Sequence, residues 1–325
     1  MESSAFAKFR PGESRYLNIV FSQAAVAPGK FAIERVLTSN KNPVLFVNSP
    51  NNDFYQHGIP AFGTTIEDSA ARIRQLITEI GATNVRCLGM SMGASAAIIF
   101  GALIEADQVV AIAPEMEMGL PQTRSIYQNR DRRFHPAHSV LVNHLNALDA
   151  RAHLTFPAYD FCDWHHAAIV RKMGRNFILM RQFHSGGQSI DWGRLIDASV
   201  EEFNLQNFIT CGIEPPINTE ELQTGAKAYT FFCQRDFDSA IRLAVPLFER
   251  HPLVGTALFL AAAFYEKNDI LNGDIWIEKL LTVDVEKIMT PARVDYDYVS
   301  WISNSNRALI KERVGLLRAI SVAAR

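Results

Sequence analysis

Gly89-Met90-Ser91-Met92-Gly93 separates two apolar runs, Val85-Arg86-Cys87-Leu88 before it and residues 94–104 after it. The first run predicts a buried strand, and the second, too long for a strand, predicts a helix. The pentapeptide is then a tight strand-to-helix turn. Such a turn is strained and brings the helix close to the strand, so it needs small residues on either side. Gly89, Gly93 and Ala94 supply them, and Ser95, Ala96 and Ala97 carry the same smallness into the first turns of the helix. A serine at the apex stands clear of its own backbone and beside helix N–H groups that have no intrahelical acceptor. A nucleophilic serine needs this exposure, a base to take its proton, and N–H donors for the oxyanion it creates.

The rest of the first two hundred residues alternates strands and helices. Strands are expected at 16–21, 43–47, 109–113, 153–158 and 176–180, with a short helix or bend at 30–37. A helix at 66–80 is expected from Ile66, Ala70, Ile73, Leu76, Ile77 and Ile80 at helical spacing, with Gly81 as its stop. Alternation of this kind predicts an α/β fold, a mostly parallel sheet with helices on both faces.

With its flanks, Gly-Met-Ser-Met-Gly-Ala resembles the nucleophile elbow of the α/β-hydrolase superfamily, whose esterases, lipases and acyl-transferring members carry similar wording. The resemblance implies an α/β-hydrolase fold over residues 1–213 and the chain order serine, acid, histidine. His184 fits the base: it follows the 176–180 strand and precedes Ser185-Gly186-Gly187 and a final helix expected at 189–203. Two acids follow the 153–158 strand, Asp160 and Asp163. Asp160 stands nearer the strand end and is slightly preferred. Asp163 opens an Asp-x-x-His-Ala pattern resembling polysaccharide-linked bacterial members, and the acid not used in catalysis is expected to cap the next helix. The oxyanion hole is expected to use the Met92 N–H and a donor from the loop after the 43–47 strand, with Asn51 as the candidate. Tyr55-Gln56-His57-Gly58-Ile59-Pro60 is placed either at the mouth of the site or in an ordinary packed loop.

His165 and His166, with Asp160, Cys162 and Asp163, superficially suggest a metal cluster. Adjacent helical residues point in different directions, however, and no second ligand group with zinc-like spacing occurs, so no metal and no cofactor are expected. Cys87, Cys162, Cys211 and Cys233 form no pairing pattern. The net charge of −2 offers no electrostatic footprint for nucleic acid or an anionic membrane. Neither a signal peptide nor a membrane span is read, and cytoplasmic residence is the default.

Residues 114–150 interrupt the alternation. Two readings stand, a substrate-selecting cap and a structural excursion; Arg130, Arg132 and Arg133 would suit an anionic or sugar-rich substrate. After Glu214-Pro215-Pro216 the chain turns all-helical, so residues 214–325 form a second region of helical hairpins. Placing Ala240 at the small position of a tetratricopeptide repeat puts Phe231 at an aromatic position and Pro252 at the closing proline. One 34-residue period later fall Leu258, Ala262 and Tyr265, with Asp274 where a small residue belongs. A plain pair of helical hairpins is the alternative, and either is expected to dock on the catalytic domain or on a second subunit. A closing helix at 307–323 would bury Leu309, Ile310, Val314, Leu317 and Ile320.

The first functional expectation is therefore a serine esterase acting through Ser91, His184 and an aspartate. The tetratricopeptide-like tail and Tyr55-x-x-Gly58-Ile59 resemble proteins of surface-polysaccharide synthesis, which makes O-acetylated sugars the first substrates to try. The alternatives are an inactive scaffold whose helical tail recruits a protein partner, and acyl transfer to a sugar or amine with the same residues.

Overall fold

A computed structural model describes residues 3–37, 40–129, 133–184, 189–201, 203–284 and 302–323. Seven strands, β1 (Ala7–Arg10), β2 (Tyr16–Phe21), β3 (Val44–Val47), β4 (Asn84–Met90), β5 (Gln108–Ile112), β6 (Ala152–Pro157) and β7 (Ile178–Met180), form one sheet in the order β1-β3-β2-β4-β5-β6-β7. The pairings β3–β2, β2–β4, β4–β5 and β5–β6 are parallel; β1, which the sequence reading missed, runs antiparallel to β3. The helices are α1 (Ile66–Glu79), α2 (Met92–Leu103), α3 (Arg124–Gln128), α4 (Val142–Leu148), α5 (Phe161–Lys172), α6 (Trp192–Asp197), α7 (Thr219–Cys233), α8 (Phe237–Arg250), α9 (Val254–Glu266), α10 (Ile270–Asp284) and α11 (Asn304–Ala323). The fold is thus α/β with a mostly parallel sheet, followed by an all-helical region. Among the described residues no helix is long and apolar enough to cross a membrane.

The chain divides into two compact units, and their borders differ from a single break at 213/214. One comprises residues 1–156, 173–178 and 187–213; the other comprises 157–172, 179–186 and 214–325. In the first unit, β2, β3 and β5 are almost wholly buried and α2 is apolar on every side, as a helix must be when it is packed all round. Helix α1 buries Ile66, Ala70, Ile73 and Leu76, and its Thr65 cap accepts the Asp68 N–H.

The helix expected at 189–203 is much shorter. After α6 the chain leaves helical geometry at Ala198, and a separate 3-10 turn follows at Leu205–Phe208. The buried Arg86 of β4 explains the stop: its guanidinium donates to the carbonyls of Leu195 (2.6 Å), Ala198 (2.9 Å) and Ser199 (3.3 Å). Asn18 and Asn42 both donate to the Ile196 carbonyl. The carbonyls at the helix end are therefore drawn onto side chains of the sheet. Arg86 also stacks against the Tyr16 and Phe203 rings, and burial lowers its pKa to about 10.

The excursion at 114–150 packs within the sheet-bearing unit, with α4 against α2. Gln56 accepts the His135 N–H, and His138 bridges Glu67 on α1 (2.8 Å) to His144 on α4 (2.9 Å). Residues 130–132, which hold two of the three arginines considered for substrate binding, lie outside the described residues.

In the second unit, successive helices from α7 to α10 pack on one another, and α11 lies against α9 and α10. Ala240, Leu258, Ala262 and Tyr265 are all buried. The small residue facing Tyr265 is Gly273, one position before Asp274, whose carboxylate accepts the Tyr265 hydroxyl at 2.7 Å. Ala240 and Gly273 are each the fourth residue of their helix, so the spacing here is 33 residues where 34 was expected. On α11, Ile310 and Val314 are buried; the side chains of Leu317 and Ile320 lie outside the described residues.

A Cβ at Gly93 would collide with the Phe21 carbonyl on β2, whereas one at Gly315 on α11 meets nothing. Gly93→Ala should therefore cost about 3 kcal/mol or more, and Gly315→Ala should add roughly 0.5–1 kcal/mol. Urea unfolding of the two variants measures both.

Candidate active site

Ser91 joins β4 to α2 at φ 50° and ψ −122°, a conformation that non-glycine residues rarely adopt. The contacts around it hold the turn. The Ser91 N–H donates to the Ile112 carbonyl at the end of β5 (2.9 Å), and the Ser91 carbonyl accepts from Ala94 and Ser95. No Cβ would fit at Gly89 or Gly93, the first facing the Gly93 backbone and the second facing Phe21 and Ser22. Ser95 anchors the next segment: its hydroxyl donates to the Glu115 carbonyl (3.2 Å) and accepts the Glu115 N–H (3.0 Å). Met92 is the first residue of α2, so its N–H is among the donors that a helix leaves without an internal acceptor.

Pairing of β2 with β4 puts Phe21 opposite Gly89, and the backbone at Phe21–Ser22 is what Gly93 touches. The loop beside the elbow is therefore the one after β2. Asn51 follows β3, which β2 separates from β4, and it lies exposed in a turn at φ 56°. Strand β2 thus lies between the strand that leads to Asn51 and the strand that ends before Ser91. Sequence located both strands but carried no information about which is the neighbour of β4. The loop after β2 carries Gln23, half-buried, whose side-chain oxygen has no hydrogen-bond partner among the described residues.

The other candidate residues belong to the helical unit. Asp163 lies in the first turn of α5, 1% exposed, and both its carboxylate oxygens are 3.0 Å from Nδ1 of His184. As acceptor of an Nδ1 proton, the Asp163 carboxylate selects the His184 tautomer in which Nε2 is the proton-accepting nitrogen. The histidine is set by its own strand end: Tyr159 N–H donates to the Gln182 carbonyl, and the Phe183 ring packs edge-on against Tyr159. Asp160, also buried, accepts the Cys162 N–H at 2.9 Å and so starts the helix. The carboxylate facing His184 is thus Asp163, while the slightly preferred Asp160 takes the capping position expected of the other acid. Gly186 and Gly187 lie outside the described residues.

His165 and His166 sit on α5 with their rings 5.1 Å apart and nearly perpendicular. Among the described residues no three histidine, cysteine or acidic side chains are grouped to hold a metal ion. In the sheet-bearing unit, Tyr55, Gln56 and Ile59 are buried while His57 is exposed, its Nδ1 3.2 Å from the Asp53 carboxylate.

No protein-family profile and no curated protein matches the chain. Among solved structures, the capsule O-acetyltransferase of Neisseria meningitidis serogroup A is similar at a TM-score of 0.39 and 13% identity, over 53% of this chain and 80% of that one. A peroxisomal alpha-beta-hydrolase of Saccharomyces cerevisiae gives 0.36 and 13%, over 72% and 88%. A glycosylation-associated protein complex from Streptococcus agalactiae gives 0.38 and 14%, over 52% and 36%. Similarity of this depth concerns the course of the chain and says nothing of substrate.

The two aspartates should separate on substitution. Asp163→Asn should change the tautomer and nitrogen shifts of the His184 imidazole in 15N NMR. Asp160→Asn should leave them unaltered and lower the melting temperature through the weakened start of α5.

Proposed function

We propose that the protein is a serine hydrolase that cleaves a carboxylic ester, with Ser91 as nucleophile, His184 as general base and acid, and Asp163 as the carboxylate that orients and stabilises the imidazolium. The observation that carries the reading is Ser91 itself, held at positive φ between a buried strand and the N-terminus of a buried helix. Strain of that kind persists only where surrounding contacts over-determine it, and a hydroxyl presented over free N–H groups is what acyl transfer uses. That Ser91 and His184 serve one reaction is the substance of the proposal. Its support is the chain order serine, acid, histidine, and the fact that His184 carries its own carboxylate.

Chemically, the Ser91 hydroxyl oxygen attacks the ester carbonyl carbon while its proton passes to Nε2 of His184. The carbonyl π electrons move onto oxygen, where the Met92 N–H and a second N–H from the 22–25 loop, that of Gln23, receive the charge. Collapse expels the alcohol, which takes the proton from His184 and leaves an acyl-serine. Water then attacks, gives its proton to His184, and the carboxylic acid departs as Ser91 recovers that proton. A sugar hydroxyl or an amine in place of water would make the same residues an acyltransferase. O-acylated saccharides are the first substrate class to try, on the resemblance of the tail and of Tyr55-x-x-Gly58-Ile59 described above, and a protein partner for the helical tail belongs to the same proposal.

Hydrolysis of p-nitrophenyl acetate and of O-acetylated sugars tests the residue roles. Ser91→Ala and His184→Ala should each lower kcat/KM about a thousandfold or more, with Asp163→Asn close behind and Asp160→Asn far milder. No turnover by folded wild-type protein, with these esters or with an added acyl acceptor, would reverse the reading in favour of a scaffold.

A further inference from the structure

The loop after β3 carries unusual backbone strain. Four of five consecutive residues, Asn51, Asn52, Phe54 and Tyr55, have positive φ between 55° and 60°, and two of them are aromatic. A left-handed conformation sets Cβ against the backbone, so each costs free energy unless other contacts compensate. Asp53, at the centre and buried, provides part of the compensation: it accepts the Tyr55 N–H (2.8 Å) and the Ser49 hydroxyl.

The strain has a definite product, since it turns two side chains back onto the loop beside the elbow. Oδ1 of Asn52 accepts the Ala25 N–H at 2.8 Å, and Ala25 is itself at φ 64°. The Tyr55 hydroxyl, kept as a neutral donor by burial, lies 3.1 Å from the Ser22 carbonyl and 3.2 Å from that of Val47. One phenol thus joins the ends of β2 and β3. Its ring is fixed in turn by edge contacts with Phe21 and Phe100. Asn48 completes the stitching with donations to the carbonyls of Val26 and Lys30, both at 3.1 Å. Every contact here lies inside the sheet-bearing unit.

We infer that Asn52 and Tyr55 are positioning residues for the acyl-transfer step, fixing the 22–25 loop so that the Gln23 N–H is held where the oxyanion forms. They act through the loop backbone, Asn52 from the side of Ala25 and Tyr55 from the side of Ser22, with Gln23 between the two fastenings. The inference rests on the serine-hydrolase reading and adds to it the residues that pre-organise the second oxyanion donor. A donor that must be sought at the moment of reaction contributes far less than one already in place.

Asn52 lends itself to a test that separates this role from backbone strain. Asn52→Gly keeps positive φ easily accessible but removes the acceptor; Asn52→Asp keeps an acceptor at the same position. With p-nitrophenyl acetate, Asn52→Gly should lose about 10- to 100-fold in kcat with KM changed less than about threefold, because a misplaced donor harms the transition state more than ground-state binding. Asn52→Asp should recover to within about threefold of wild type. Tyr55→Phe, which keeps the ring packing, should fall in kcat in the same way. Thermal melting checks that each variant is folded. Wild-type kcat in Asn52→Gly, or equal losses in Asn52→Gly and Asn52→Asp, would overturn the positioning role while leaving the serine-hydrolase reading intact. Absence of Ser91-dependent turnover in the wild type would overturn both.

Discussion

Helix α2 passes very close to the strands below it, where Gly93 meets the Phe21 carbonyl and Gly89 meets the Gly93 backbone. No side chain fits at either place, so the helix can start only where the sequence offers these glycines. The serine between them is then forced into its strained conformation. Neighbouring elements take their positions from this approach. Strand β5 offers the Ile112 carbonyl to the Ser91 N–H, and the segment after β5 is fastened to α2 through Ser95 and Glu115. The end of β2 is fixed against the elbow by the same contact that excludes a side chain at Gly93. The serine at the apex is therefore held by close packing and by backbone hydrogen bonds.

The helical region has a structural task of its own. Trp164 of α5 packs where Gly225 of α7 leaves room, its indole N–H donates to the Ala158 carbonyl, and Phe161 stacks at a tilt on Phe259 of α9. These contacts hold the helix that carries Asp163, so the tail belongs to the same unit as the aspartate and histidine pair. A tail with only this role would need no external partner to account for its buried apolar faces.

Much of this was legible in the sequence because it depends on local rules. The strand, glycine, serine, glycine and helix pattern located the elbow, the apolar spacing located α1, and the stop at Gly81 was correctly placed. What the sequence could not show was set by contacts distant along the chain. Asp160 stands nearer the strand end, yet it is spent on the Cys162 N–H, and Asp163 one helical turn later faces His184. The order of β2 and β3 in the sheet decided which loop borders the elbow, and Asn51 was chosen without it. The final helix was cut short by Arg86, a residue more than a hundred positions earlier that reads as an anomaly in an apolar strand.

Reaction with a fluorophosphonate, followed by mass-spectrometric mapping of the adduct, measures most directly whether Ser91 is an activated nucleophile. The account predicts a single adduct on Ser91 that forms rapidly in the wild-type protein and is lost in His184→Ala. An unlabelled Ser91 in folded protein, or labelling that His184→Ala leaves at the wild-type rate, would contradict it.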